Sequence, residues 1–298
     1  MKIVFLGSSQ KKHIADLLGR AGCTCITLSE EANAVKRKVL NLCRFLSADM
    51  VYSVGGEDYE TCYVYKLARL LGKKVVIHWI GTDVMLQMDS FRRTAKTFHY
   101  EVLNLAVSEQ LKEELKSIGI KSTYLPIAPP DIVCSLDYPM PQKHAVLVYL
   151  PMGKEEFYGW SQVKYLAGEN PDIPFYIVAN DGIDEKNIPK NIFFMGTIPH
   201  EELFELYKRT SILLRVPEHD GLPVMMLEAQ GIGRTVIHNI GFPYVVTPKD
   251  RTNISLYDAF QEIVSLPPKL DVEAKRYVEE NFSPDKILML YRSVGVIG

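Results

Sequence analysis

Cysteine is scarce in this chain: Cys23, Cys25, Cys43, Cys62 and Cys134 are the only five among 298 residues. The number is odd and no pair has Cys-x-x-Cys spacing, so neither a disulfide framework nor a structural zinc site is expected, and a reducing cytoplasm is the natural setting. No apolar run approaches the ~18 residues that a membrane span needs. The opening Met1–Gly7 reads as a strand ending in a glycine turn, too short for a signal-peptide core, so secretion is not expected. No charge of one sign dominates: 34 Lys+Arg stand against 36 Asp+Glu, a net of −2, which gives no bulk attraction to nucleic acid. Missing too are an Asp-x-Asp pair for a divalent metal, a Gly-x-Gly-x-x-Gly fingerprint, a Walker loop, and the Gly-x-Ser-x-Gly and His-Glu-x-x-His hydrolase motifs. Neither a metal nor an organic cofactor is therefore expected.

What is present is a 47% apolar chain in which short β-branched runs alternate with helical stretches, the pattern of a doubly wound parallel α/β sheet. Strands are expected at Ile3–Leu6, Thr24–Leu28, Met50–Ser53, Lys74–His78, Leu103–Val107 and Lys121–Leu125, with helices at Lys12–Ala21, Asn33–Leu46, Tyr59–Leu71 and Glu109–Ser117. Five prolines between Pro126 and Pro141 then mark a linker, after which the alternation resumes at Ala145–Tyr149. The division expected is a first domain at 1–126, a linker at 127–143, a second domain at 144–282, and a final helix at 283–298 crossing back to the first. In such sheets ligands sit at the carboxyl ends of the strands.

The densest constellation runs from Arg215 to Ala229. An apolar strand, Ser211–Leu214, enters a charged turn, and Pro223 stands where the first residue of a helix would be. The free amides and positive dipole end of that helix suit a diphosphate. Asp220 and Glu228 are placed to address one ligand through sugar hydroxyls; the plainer reading makes Asp220 a cap and Glu228 a surface residue.

This segment, Asp220-Gly221-Leu222-Pro223-Val224-Met225-Met226-Leu227-Glu228-Ala229, resembles the donor-binding motif of the family 4 glycosyltransferases, whose pattern is a Glu, seven residues, and a second Glu followed by Ala. The spacing is kept, with Asp220 in place of the first Glu. Phe193–Ile198 followed by Glu201–Tyr207 resembles the family's glycine turn beside the nucleotide base, Leu105–Glu109 its last N-terminal-domain helix start, and Asn281–Pro284 its C-terminal crossing segment. The resemblance covers nearly the whole chain. It implies the GT-B fold, two Rossmann-like domains facing a cleft, and metal-free transfer, with retention, from a UDP- or GDP-sugar to a glycan or lipid-linked acceptor in glycan, glycolipid or cell-envelope polysaccharide synthesis.

By that resemblance Glu228 binds the ribose, Asp220 holds hydroxyls of the transferred sugar, Gly221, Leu222 and Pro223 offer backbone groups to sugar or diphosphate, and Gly196 and Ile198 flank the base. His219 shapes the loop or touches the sugar. The family's lysine after the first strand of the second domain is missing, and Tyr158 stands there; Lys154 and Arg215 are the candidate cations for the leaving diphosphate, the alternative being that Lys154 is a solvated loop residue. His78, closing a strand, matches a family histidine that meets donor sugar or acceptor, although a lone His at a strand end is often structural. Trp79 is read as packing or as a sugar platform. Gly7 and Ser8, Gly55 and Gly56, and Thr82 and Asp83 are candidates for the acceptor side. The alternatives to this reading are a non-catalytic sugar-nucleotide-binding subunit and a GT-B nucleotide-sugar epimerase.

Charge is uneven along the chain. Residues 1–142 carry 18 basic against 15 acidic side chains, and the remainder 16 against 21. The sharpest cluster lies within residues 35–46, where Lys36, Arg37, Lys38 and Arg44 interleave with apolar residues at helical spacing. It reads either as an ordinary solvated helix or as a peripheral contact with anionic lipid at the inner face of a membrane.

Overall fold

The computed structural model describes residues 1–8, 10–28, 33–56, 63–96, 102–129 and 138–298. The chain forms two units, one of residues 1–130, 220–224 and 282–298, the other of residues 131–219 and 225–281. The expected linker's residues 130–137, with Cys134, and the first four residues of the helix expected at Tyr59–Leu71, with Cys62, lie outside the described residues, as does Ser9.

The first unit is built on β1 (Lys2–Gly7), β2 (Thr24–Thr27), β3 (Met50–Val54), β4 (Lys74–Trp79), β5 (Leu103–Ala106) and β6 (Thr123–Tyr124), parallel throughout, in the order β2-β1-β3-β4-β5-β6. Its central strands are buried on both faces, which is why they read as continuous apolar runs such as Ile3-Val4-Phe5 and Val75-Val76-Ile77. The helices are α1 (Lys11–Arg20), α2 (Ala34–Ser47), α3 (Tyr63–Leu70), α4 (Thr82–Thr94) and α5 (Glu109–Ser117). Asn33 caps α2, accepting from the amides of Val35 and Lys36 at 3.1 and 3.0 Å, and Ser108 caps α5 through the Leu111 amide at 3.2 Å. Helix α4 was not anticipated from sequence: only Val84 and Gln87 on it are buried, so no apolar stripe announces it.

The second unit holds β7 (Val146–Tyr149), β8 (Phe175–Val178), β9 (Ile192–Gly196), β10 (Ile212–Arg215), β11 (Thr235–His238) and β12 (Val245–Val246), in the order β12-β11-β10-β7-β8-β9 and again all parallel. Around it lie α6 (Trp160–Glu169), α7 (His200–Arg209), α8 (Val224–Gly231), α9 (Asn253–Val264) and α10 (Val272–Phe282), and a last helix, α11 (Pro284–Ser293), belongs to the first unit. Val146, Val148, Trp160, Phe175, Ile177 and Phe260 form the heart of the second unit's core. Strand order reverses between β1 and β3 in the first sheet and between β7 and β10 in the second. These are the switch points, where the loops leaving adjacent strands part and leave a crevice.

Candidate functional site

At the switch point of the second unit, Arg215 ends β10 and Tyr149 ends β7. The Arg215 guanidinium is buried, 4.6 Å from the centre of the Tyr149 ring and 5.2 Å from that of Tyr158. Two aromatic faces thus hold a cation at the carboxyl edge of the sheet. The turn after β7 presents Lys154 as an exposed side chain, with its amide bonded to Pro151 O at 3.1 Å. On the same turn Glu155 accepts from the Gly153 amide and from Asn180 at 2.8 and 3.0 Å, bonds that lower its pKa.

The chain leaving Arg215 passes the half-buried His219 and reaches α8, which begins at Val224, so Pro223 directly precedes the helix. Glu228, on α8, is 2% exposed. Its Oε1 lies 2.8 Å from His200 Nε2, and its Oε2 accepts from the Tyr207 hydroxyl at 3.0 Å. His200 and Tyr207 sit seven residues apart on α7, two turns along one face, so both reach the same carboxylate. The bond to Glu228 raises the His200 pKa, and burial first, then the Glu228 charge, raises that of Tyr207 well above its ordinary range. Glu228 is therefore a buried carboxylate held at both oxygens, and the surface-residue reading is set aside. Buried Arg234 donates to Tyr207 O at 2.9 Å and fixes the far end of α7.

Gly196 closes β9 with φ +69°, and a Cβ there would stand 2.4 Å from Asp181 Oδ1. Ile198 follows, half-buried, two residues before α7.

In the first unit, His78 is fully buried near the end of β4. Its Nδ1 lies 2.9 Å from the Tyr52 hydroxyl and its Nε2 2.7 Å from Leu125 O. Neutral imidazole satisfies both, with Nε2–H donating to the carbonyl and Nδ1 accepting. Burial pushes its pKa down to about 4, against the opposing pull of the Leu125 bond. A sugar contact from His78 would have to break one of these bonds. Trp79 is buried and donates from its indole to Asn104 Oδ1 at 3.0 Å, which makes it packing.

Asp83 accepts from the amides of Gly56, Gly81 and Ile80 at 2.6, 2.7 and 3.1 Å, and burial raises its pKa over the pull of those amides. Its carboxylate thus ties the Gly55-Gly56 turn after β3 to the turn after β4, a commitment that the expectation of an acceptor contact did not include. Thr82 opens α4, half-buried. Gly7 ends β1 with φ +85° where a Cβ would be 2.0 Å from Val54 O, and the Ser8 amide donates to that same oxygen at 2.8 Å. The segment Asp220–Val224 packs with this unit: a Cβ on Gly221 would stand 2.3 Å from Ile80 O, and buried Asp220 accepts the Gly221 amide at 3.0 Å. Leu222 and Pro223 are buried beside them. Among the described residues no group of three His, Cys, Asp or Glu side chains has the geometry to hold a metal ion.

Solved structures similar to this chain include glycosyltransferases. Sucrose-phosphate synthase from Thermosynechococcus elongatus superposes with a TM-score of 0.68 at 13% identity over 99% of both chains. HepE of Anabaena, solved with UDP and glucose, gives 0.65 at 10% identity over 99% of both. WaaG, a glycosyltransferase of lipopolysaccharide biosynthesis, gives 0.60 at 12% identity over 100% of this chain and 99% of its own.

The chain has the GT-B fold.

No family model matches it, and no curated protein matches it in sequence. Within the two GT-B units the structure brings Glu228 together with His200 and Tyr207, Arg215 with Tyr149 and Tyr158, and Asp83 with Gly56. His200 and Tyr207 were missed from sequence. Their seven-residue spacing on a helix was the available signal, but nothing local says which buried carboxylate that face meets.

Proposed function

We propose that the protein is a family 4 type glycosyltransferase that moves a sugar, with retention, from a UDP- or GDP-sugar to an acceptor hydroxyl, without a metal, in the synthesis of a glycan, glycolipid or cell-envelope polysaccharide. The observation that carries this reading is Glu228: a carboxylate buried on the helix after the switch-point strand and held at both oxygens. Such a group, desolvated and oriented, suits the paired hydroxyls of a ribose. The GT-B neighbour HepE, solved with UDP and glucose, adds support.

In this proposal Glu228 takes the ribose, Asp220 the hydroxyls of the transferred sugar, Ile198 and Gly196 the base, and the backbone at Gly221-Leu222-Pro223 the sugar or diphosphate. Arg215 and Lys154, with the start of α8, offset the charge of the leaving diphosphate. The departing diphosphate takes the acceptor proton, so the protein supplies positioning and charge rather than a carboxylate base. His78 enters as a buried brace within the first unit, between Tyr52 and Leu125 O. Residues 1–126 serve the acceptor and 144–282 the donor. The setting is cytoplasmic, with residues 35–46 in peripheral contact with the inner face of a membrane.

A non-catalytic nucleotide-sugar binder is the second reading, favoured by Tyr158 at the place of the family's lysine. Donor hydrolysis or transfer separates the two. The test of the site is calorimetric titration of UDP and GDP into wild type and Glu228→Ala. Loss of two hydrogen bonds to a charged acceptor, about 1.5–3 kcal/mol each, predicts at least a tenfold weaker affinity for the preferred nucleotide. An unchanged affinity removes Glu228 from the site.

A further inference from the structure

A carboxylate that takes the hydroxyls of a ribose has to be reached by them, and Glu228 is 2% exposed. Both of its oxygens are already engaged, Oε1 by His200 Nε2 at 2.8 Å and Oε2 by the Tyr207 hydroxyl at 3.0 Å. A ribose gains these oxygens once one of the two partners gives way. Tyr207 is 1% exposed, its hydroxyl lies 3.1 Å from Met225 O as well, and its ring centre stands 5.9 Å from that of Phe204. The His200 side chain, by contrast, is 38% exposed.

His200 is also the partner able to turn. It is the first residue of α7, behind Pro199, so no preceding helical turn restricts its χ1. Turned outward, the imidazole exchanges its bond to Glu228 for bonds to water, whereas moving Tyr207 would drive a buried ring through close-packed neighbours. Gly196 and Ile198, proposed above for the base, lead directly into His200, so one short segment carries all three. The charged groups that act on the imidazole are Glu228 on α8 and Glu201 beside it on α7; the Arg215 charge acts on Tyr207. The hydrogen bond to Glu228 comes first among the causes that hold the His200 pKa above its ordinary 6.5, against partial burial.

We propose that His200 is a plug in the nucleotide site: its imidazole holds the place on Glu228 Oε1 that a ribose hydroxyl takes, and a nucleotide binds by turning it out. The inference rests on the reading of Glu228 as the ribose carboxylate and adds what controls access to it. Protonation sets how firmly the plug is held, because an imidazolium bonds a carboxylate more strongly than a neutral ring does. A nucleotide that separates the pair returns the ring's pKa toward 6.5 and releases a proton. By linkage, affinity rises with pH between 6.5 and the raised pKa and is level on either side.

Calorimetric titration of UDP and GDP into the full chain at pH 6 and pH 9 tests it, comparing wild type, His200→Ala, His200→Gln and Glu228→Ala. At pH 6, His200→Ala is expected to bind the preferred nucleotide about tenfold more tightly than wild type, the factor set by one hydrogen bond to a charged group. At pH 9 that gap is expected to narrow. Titration of the nucleotide's own phosphates is common to all four proteins and cancels from the ratio. His200→Gln keeps a neutral donor, so its affinity relative to His200→Ala is expected to be the same at both pH values. Should His200→Ala lose the thermal unfolding transition of wild type, the rise in wild-type affinity from pH 6 to pH 9, measured against His200→Gln, carries the test. Equal or weaker binding by His200→Ala at pH 6 overturns the plug, and a gap of one size at both pH values overturns its control by protonation. Absence of nucleotide binding in both wild type and His200→Ala, or full binding by Glu228→Ala, counts against the ribose reading of Glu228 and takes the plug with it. Weakened binding by Glu228→Ala beside no gain in His200→Ala sinks the plug alone.

Discussion

Tyr52 and His78 meet across adjacent strands, hydroxyl to Nδ1 at 2.9 Å, and the same hydroxyl lies 3.2 Å from that of Tyr291 on the last helix. The imidazole is fully buried and neutral, with its pKa near 4 against an ordinary 6.5. The unfolded chain therefore binds a proton at His78 that the folded chain refuses. The stability held by the neutral ring is complete above pH 6.5 and is lost as pH falls from 6.5 through about 4. The loss amounts to about 3 kcal/mol at most. Denaturant unfolding of wild type and His78→Gln between pH 7 and 4 should show a steep acid loss in wild type and a flatter one in the variant. Parallel curves would remove His78 from the acid transition.

His200 behaves with the opposite sign. Its pKa is raised by Glu228, so the His200–Glu228 bond stabilises fully below the ordinary 6.5 and fades as pH rises through the raised value. The stability difference between wild type and His200→Ala should be larger at pH 5.5 than at pH 9. Tyr207→Phe, which removes the donor to Oε2, should cost about 1 kcal/mol and weaken binding of the preferred nucleotide, UDP or GDP, at every pH. Equal differences at both pH values would show that His200 does not titrate against Glu228.

Gly221 packs with its Cα against Ile80 O, where a Cβ would stand 2.3 Å away, and Val107 Cγ2 would be at 2.7 Å. The carbonyl is backbone and cannot rotate aside. Gly221→Ala should destabilise the first unit by about 1–3 kcal/mol, read by thermal unfolding, and should reduce transfer through displacement of Asp220. A variant as stable and active as wild type would show that this contact relaxes at no cost.

Chelation should leave transfer intact. Arg215 between two tyrosine rings, Lys154 and the start of α8 are the counter-charges proposed for the diphosphate. Transfer measured after exhaustive chelator treatment is expected to match the untreated rate. Strict dependence on restored magnesium or manganese would overturn this account of the leaving group.

Much of the fold was legible along the chain. Buried parallel strands must be continuous apolar runs, so β1, β3, β4 and β7 announce themselves, and Asn33 and Ser108 mark helix starts because their side chains satisfy amides that a helix leaves bare. The Asp220–Glu228 spacing, too, is a property of the sequence alone. Helix α4 escaped because it buries two residues rather than a stripe. The rest depends on side chains that meet from distant positions: Glu228 with Tyr207 across 21 residues, His78 with Leu125 across 47, Tyr52 with Tyr291 across 239. Periodicity states which face of an element is apolar but not which partner that face meets. Whether a histidine at a strand end is solvated or buried against partners of its own, and whether an apolar stripe faces the sheet or the solvent, was decided only by the tertiary structure, which buries His78 and leaves Val35 and Leu70 on the outer faces of α2 and α3 exposed.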